Sequence, residues 1–131
     1  MTKNNTALQT LVTTVRSLRG DKGCPWDKRQ TSASLIYYLK SETAELVSAI
    51  ENDDPANICE ELGDLLYIIL MIAEIHGDLG NFDLTDVLQQ IDDKLIRRHP
   101  HVFAGTSFES EAQLAEQWQS IKAAEKKKNS V

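Results

Sequence analysis

Cysteine is scarce in this chain of 131 residues. Cys24 and Cys59 are the only two, and no CxxC spacing joins them. That excludes a disulfide framework and the usual zinc ligand patterns, and makes a reducing, cytoplasmic setting the natural reading. Long apolar runs are absent too. The longest, Leu65 to Ala73, is nine residues bounded by Asp64 and Glu74, far short of the roughly 18 needed to cross a bilayer. The opening MTKNNTALQT has no basic segment followed by an apolar one, so no secretory signal and no membrane partner are expected. Positive charge is in deficit: 14 Lys and Arg stand against 20 Asp and Glu, a net charge of −6. This excludes binding to a nucleic acid polymer through a general basic surface, so any phosphate-bearing ligand has to be met locally. No segment alternates convincingly as a strand. The length is that of a single domain, residues 1–131, large enough for one real core.

What is present is helical periodicity, and the punctuation separates about five helices. The first, about residues 5 to 19, carries Leu8, Leu11, Val12, Val15 and Leu18 on one face, and the loop Gly20 to Gln30 ends it with two glycines and Pro25. Thr31 or Ser32 can cap a second helix running to about Asn52. Asp53 and Asp54 then precede Pro55, an acidic cap followed by proline at the first helical position, and a third helix continues to about His76. The connection is so short that these two helices form an antiparallel hairpin. Asp83 can cap a fourth helix over about 84 to 98, with Leu84, Val87, Leu88, Ile91 and Leu95 inward. Ser110 with Gln113 resembles a capping box for a last helix holding Leu114, Trp118 and Ile121. The charged end, from about 126 to 131, is expected to be a disordered tail. The third helix is apolar on nearly all sides through LLYIILMIA. It therefore calls for a homo-oligomeric bundle with this helix at or near the interface, the other packing being a well-covered central helix in a monomer.

The informative residues are two pairs of carboxylates at i,i+3 spacing, Glu42/Glu45 and Glu61/Asp64, one pair on each arm of the hairpin. Residues three apart on a helix point within about 60° of each other, so each pair presents two oxygen ligands from one face. The first pair interrupts the apolar line Leu35, Leu39, Leu46, Ile50. The second lies beside the line Ile58, Leu62, Leu65, Ile69, Ile72. Glu42 and Glu45 stand about eight residues before the turn, and Glu61 and Asp64 about nine after it. At 1.5 Å per residue they reach similar heights. Charged side chains among core positions require a counter-charge. The competing reading is a solvated acidic face, the usual fate of a single ExxE. An all-oxygen donor set with no histidine or cysteine favours Mg²⁺, with Mn²⁺ as a substitute, and disfavours the di-iron carboxylate type, which needs Glu-x-x-His. Magnesium is commonly completed by phosphate oxygens, which points to phosphoryl or nucleotidyl chemistry on an anionic ligand.

Positive charge gathers at Lys94, Arg97 and Arg98, at the end of the fourth helix. Two readings are equally supported: a clamp on triphosphate oxygens, and a simple complement to the helix macrodipole. His99 and His101 flank Pro100, which stops the helix, and are read as surface loop positions. Trp118 either stacks on a base or packs. Trp26, in the CPWD loop, either walls a pocket or anchors the loop, and Tyr38, with Tyr37, is a candidate for the pocket rim. Core or anchor is the plainer role for each.

Taken in order, GCPWD at Gly23 to Asp27, Gln30-Thr31, Glu42/Glu45, Glu61/Asp64 within EELGDLL, and KLIRRHPHVF at Lys94 to Phe103 resemble the MazG nucleoside triphosphate pyrophosphohydrolases, over about residues 8 to 125. The resemblance implies an all-α fold that dimerises into a helical bundle. It also implies Mg²⁺-dependent hydrolysis of nucleoside triphosphates to the monophosphate and pyrophosphate, in housecleaning of the nucleotide pool. It places the metal ligands on Glu42, Glu45, Glu61 and Asp64, the phosphate-binding residues on Lys94 and Arg98, and a nucleotide-contacting tryptophan on Trp118. One position departs from it. The family pattern is commonly EExxE, and here Ser41 stands where the first glutamate would be. Serine is no base at neutral pH without help. The alternative function is accordingly a catalytically weakened module or sensor that binds nucleotide and Mg²⁺.

Overall fold

The computed structural model describes residues 2–129 and is all-helical, with no strand among them. Seven helices follow one another: α1 (Thr2–Leu18), α2 (Pro25–Arg29), α3 (Ser32–Glu51), α4 (Pro55–Asp78), α5 (Leu84–Arg98), α6 (Pro100–Phe103) and α7 (Glu111–Asn129). The five expected helices are α1, α3, α4, α5 and α7. The two extra ones are single turns that begin at prolines, Pro25 and Pro100. Proline fixes φ for a first helical turn and needs no partner for a missing N–H. The described residues form two compact units, one up to Leu84 and one from Thr85 onward.

The first unit is organised by the α3/α4 hairpin. Thr31 caps α3: its side chain accepts from the Ser34 N–H at 3.1 Å, and the Ser34 hydroxyl accepts from the Thr31 N–H at 2.9 Å. At the other end the Asp54 N–H donates to Ala49 O (3.3 Å) and the Asp53 N–H to Ile50 O (3.0 Å), the paired bonds of a Schellman stop. Asp53 takes the left-handed position with φ 51°. Asp54 then caps α4 by accepting from the Asn57 N–H, with Pro55 in the first turn. A second Schellman stop closes α4, Asn81 N–H to His76 O and Gly80 N–H to Gly77 O, with Gly80 at φ 76°.

The core of this unit is Val12 and Val15 of α1, Leu35 of α3, and Ile68, Leu70, Met71 and Ile75 of α4, with Leu8, Leu11, Trp26, Tyr38, Leu39 and Leu84 packed around it. α1 shows the expected inward face. On α3 the expected line holds at Leu35, which is buried, and at Leu39 and Leu46, which are half-buried, but Ile50 is exposed and Ala49 beside it is buried. On α4 Ile58, Leu65 and Ile72 are half-buried, Leu62 and Ile69 are exposed, and the buried positions are Ile68, Leu70, Met71, Ala73 and Ile75. The apolar line on α4 is thus rotated by one residue from the one expected. A helix apolar on most sides does not by its own pattern say which side meets its neighbours.

The GC-PWD loop is pinned to α1 and α4. Gly23 lies so close to the end of α1 that a Cβ there would sit 2.2 Å from the Leu18 carbonyl oxygen, and the Cys24 N–H donates to that same oxygen at 2.8 Å. Asp27 is buried and accepts a hydrogen bond from the Tyr67 hydroxyl, while Arg19 donates to the Asp27 carbonyl. Trp26 meets Tyr38 edge to face, with centroids 5.2 Å apart.

In the second unit α5 and α7 are joined by ion pairs at their C-terminal ends. α7 begins with Ser110 Oγ accepting from the Gln113 N–H at 3.2 Å, while Gln113 Oε1 accepts from the Glu109 N–H. It runs on through Lys126–Lys128 to Asn129, where a disordered tail was expected. Residues 130 and 131 of that tail lie outside the described residues. Basic side chains in the last turn complement the carbonyl end of the helix. The inward face expected on α5 is open at Leu88, Ile91 and Leu95, each nearly half exposed, while Leu84 and Val87 are half-buried.

Candidate metal centre and anion site

Glu42 and Glu45 are one turn apart on α3, and Glu61 and Asp64 one turn apart on α4. Each offers one carboxylate oxygen, and these oxygens all lie within 4.8 Å of one another. Helix periodicity puts each pair on one face. The three-residue turn Asn52–Asp54 then brings the two pairs level, as the residue count requires. Oxygens about 2.0–2.4 Å from a central cation would stand up to about 4.8 Å apart across it, so the spacing fits a hard divalent ion.

Electrostatics point the same way. Glu42 and Glu61 are half-buried, and Oε2 of each is shut off from solvent with no hydrogen-bond partner. Burial raises the Glu42 carboxyl, and the charges of Glu45 and Asp64 raise it further. Burial, then contact with Glu45, then the charges of Glu45, Asp64 and Glu42 push Glu61 up to about 7. Buried oxygens without donors, in a field of like charge, are unsatisfied until a cation or protons arrive. Glu45 and Asp64 are exposed and form the open side of the cluster. Ser41, half-buried, precedes Glu42 and so points about 100° away from it around α3.

Lys94, Arg97 and Arg98 stand at the end of α5 and line a cavity of about 910 Å³ together with Lys122, Glu125 and Lys126. Arg97 Nη2 donates to Glu125 at 3.2 Å, and Arg98 Nε donates to both its oxygens at 3.1 and 3.2 Å. Burial alone would raise the Glu125 carboxyl, but the bonds from Arg98 and Arg97 outweigh it and hold it below the usual range. Glu125 is a residue the sequence reading missed. It precedes a lysine run, and no spacing rule pairs it with residues 27 and 28 positions earlier. Trp118 is 40% exposed, with the Lys122 ammonium 4.6 Å over its ring. Trp26 and Tyr38 pack on the core and on each other, while Tyr37 is exposed. His99 Nδ1–H donates to Leu95 O, and His101, within α6, meets Phe108 edge on.

A helical hairpin that gathers four carboxylates, with no nitrogen or sulfur donor among them, defines the class: an all-α protein with an acidic cluster that could hold a metal ion. Within it, residues 30–103 match the MazG nucleotide pyrophosphohydrolase domain, and the chain belongs to that family. The matched stretch holds all four carboxylates and Lys94, Arg97 and Arg98, but not Trp26, Trp118 or Glu125. The chain is 42% identical over 117 residues to a protein of Escherichia coli K12 named nucleoside triphosphate pyrophosphohydrolase, covering 88% of this chain and 44% of that one. It is 42% identical over 118 residues to the Thermotoga maritima nucleoside triphosphate pyrophosphohydrolase/pyrophosphatase MazG, covering 90% and 45%. Against the uncharacterized protein YabN of Bacillus subtilis it is 46% identical over 112 residues, covering 86% and 23%. The chain thus spans less than half the length of these curated relatives. A crystal structure of a mazG-related protein from Thermotoga maritima superposes with a TM-score of 0.73 at 30% identity, over 88% of this chain and 98% of that one. No helix among the described residues is long and apolar enough to cross a membrane.

Proposed function

We propose that this chain hydrolyses nucleoside triphosphates at the α–β phosphoanhydride bond, giving the monophosphate and pyrophosphate, and that it does so with Mg²⁺ or, as a substitute, Mn²⁺. The observation that carries the reading is the four-carboxylate cluster, with two buried oxygens that lack any donor. Glu42, Glu45, Glu61 and Asp64 would hold the cation. Bound there, the ion would supply charge neutralisation for the phosphates and a lowered pKa for water. Glu42 and Glu61 supply the recessed oxygens, and Glu45 and Asp64 those next to solvent. Glu61, with its carboxyl pushed up to about 7, holds a proton part of the time near neutral pH and would give it up on holding a cation. Lys94, Arg97 and Arg98 neutralise the departing pyrophosphate, and Trp118 offers a half-exposed face to the base. The names of the relatives from Escherichia coli and Thermotoga maritima support the same bond and substrate class.

The working unit in this reading is a homodimer or homotetramer. Leu62, Leu66 and Ile69 form an exposed stripe at i, i+4, i+7 along α4, beside the acidic pair, and such a stripe is covered most simply by a second copy. A cytoplasmic role in clearing unwanted nucleotides fits the two free cysteines, Cys24 and Cys59. Ser41 favours a second reading, a nucleotide- and Mg²⁺-binding module with weak turnover, because no carboxylate stands at that position to take a proton from water. A product-resolved screen of nucleoside triphosphates with Mg²⁺ separates the readings. Monophosphate and pyrophosphate are expected. Diphosphate with orthophosphate overturns the assigned bond, and calorimetric binding with no product establishes the module.

A further inference from the structure

Two guanidinium groups of α5 converge on one carboxylate of α7. Arg98 grips both oxygens of Glu125 and Arg97 adds a third bond. The Glu125 side chain is 16% exposed and that of Arg98 21%, whereas Arg97 is half open to solvent. The other charged side chains on the cavity lining are all cationic, Lys94, Lys122, Lys126 and Lys128, set among the apolar Ile121, Ala123 and Ala124. Arg98 shares its Nε–H between the two oxygens and Arg97 adds an Nη2–H, so donors of two guanidinium groups close on one carboxylate as they can on the edge of a phosphate. Glu125 brings a single negative charge into a cluster of six cationic side chains. A condensed phosphate brings two or more.

We propose that Glu125 is an internal stand-in for a phosphate: it occupies the Arg97–Arg98 fork in the ligand-free chain and is displaced when a condensed phosphate anion of the pyrophosphate class enters the cavity between α5 and α7. This rests on the reading above that the basic end of α5 meets phosphate, and adds to it a residue that sets how tightly the anion is held. Glu125 pulls against every phosphate oxygen that the fork would take, so it lowers affinity for the leaving group and hastens its departure. No covalent step is involved; one anion exchanges for another on the same donors.

The test is titration calorimetry with inorganic pyrophosphate in the presence of EDTA, at low salt, on the full chain. Glu125→Gln keeps the shape of the side chain and removes its charge. It is expected to bind pyrophosphate about tenfold or more tightly than the unaltered chain, the worth of a charge-assisted hydrogen bond that no longer competes, and the Arg97→Ala/Arg98→Ala double variant is expected to bind none. Equal or weaker binding by Glu125→Gln overturns the proposal and makes Glu125 a positioning residue for the arginines. Should that variant not fold, the Arg98 Nε–H resonance of the unaltered chain decides: a shift on saturation with pyrophosphate supports displacement, and an unmoved resonance refutes it. Failure of the hydrolysis reading is distinguishable, because a chain with no turnover whose Glu125→Gln variant gains affinity loses the reaction and keeps the displacement.

Discussion

Glu61 is the residue at which acidity, stability and the proposed metal binding meet. Its carboxyl stands at about 7 instead of 4.5, raised by burial first and then by Glu45 and the charges around it. Between those two values the folded chain holds a proton that the unfolded chain has lost. Stability from this group is therefore complete below about pH 4.5 and is lost as pH rises through about 7. A divalent cation bound as proposed would compete with that proton, so its affinity would rise across the same window and its stabilisation would offset the loss. In thermal melts with EDTA, the midpoint is expected to fall from about pH 5 to about pH 8. Millimolar Mg²⁺ should reverse most of the fall at the alkaline end. Glu61→Gln should flatten the profile and abolish the response to Mg²⁺. A melting temperature indifferent to Mg²⁺ at pH 8 in the unaltered chain would remove the metal centre from the account. The identities of Glu42, Glu45, Glu61 and Asp64 were legible in the sequence because i,i+3 spacing on a helix is a local rule. That Glu42 and Glu61 sit deeper than their partners was not, since depth depends on how α3 and α4 turn toward each other.

At the scale of elements, the ends of helices carry more information than their middles. Thr31, Asp54 with Pro55, and Ser110 with Gln113 act where the sequence places them, because a cap involves residues within three or four positions. The GCPWD loop is different. It folds into α2 and is held by the close approach of Gly23 to Leu18 and by the Asp27–Tyr67 bond, which joins residues 40 positions apart. Gly23→Ala has nowhere to put its methyl group and is expected to cost about 2 kcal/mol or more in urea unfolding. A variant as stable as the parent would show that the loop is not pinned to α1. Trp26 of the loop meets Tyr38 of α3 edge to face and both pack against the core, contacts that suit an anchoring role.

At the scale of the whole molecule, an apolar stripe on α4 stands at the surface. Leu62 is 52% exposed, Leu66 38% and Ile69 42%, and together they make a continuous stripe on the helix that also bears Glu61 and Asp64. Leu66→Glu places a charge in the middle of it. If copies associate there, light scattering should give the parent chain a mass at least twice that of one chain and the variant the mass of a single chain, with the circular dichroism of a helical protein retained. A parent that scatters as one chain would leave the stripe solvated and return α4 to the role of a central helix in a monomer.

The amino-acid order alone determined the helices, the hairpin turn and the levelling of two acidic pairs, because hydrogen-bond periodicity, capping and rise per residue act over a few positions of chain. Tertiary packing decided which side of α4 is buried, giving Ile68, Met71 and Ile75 the core and leaving Leu62 and Ile69 outside. It also decided that Asp27 is buried against Tyr67 and that Glu125 closes on Arg97 and Arg98. Those outcomes rest on contacts between residues tens of positions apart. Their energies depend on how the helices are rotated and set against each other, and no local pattern specifies that.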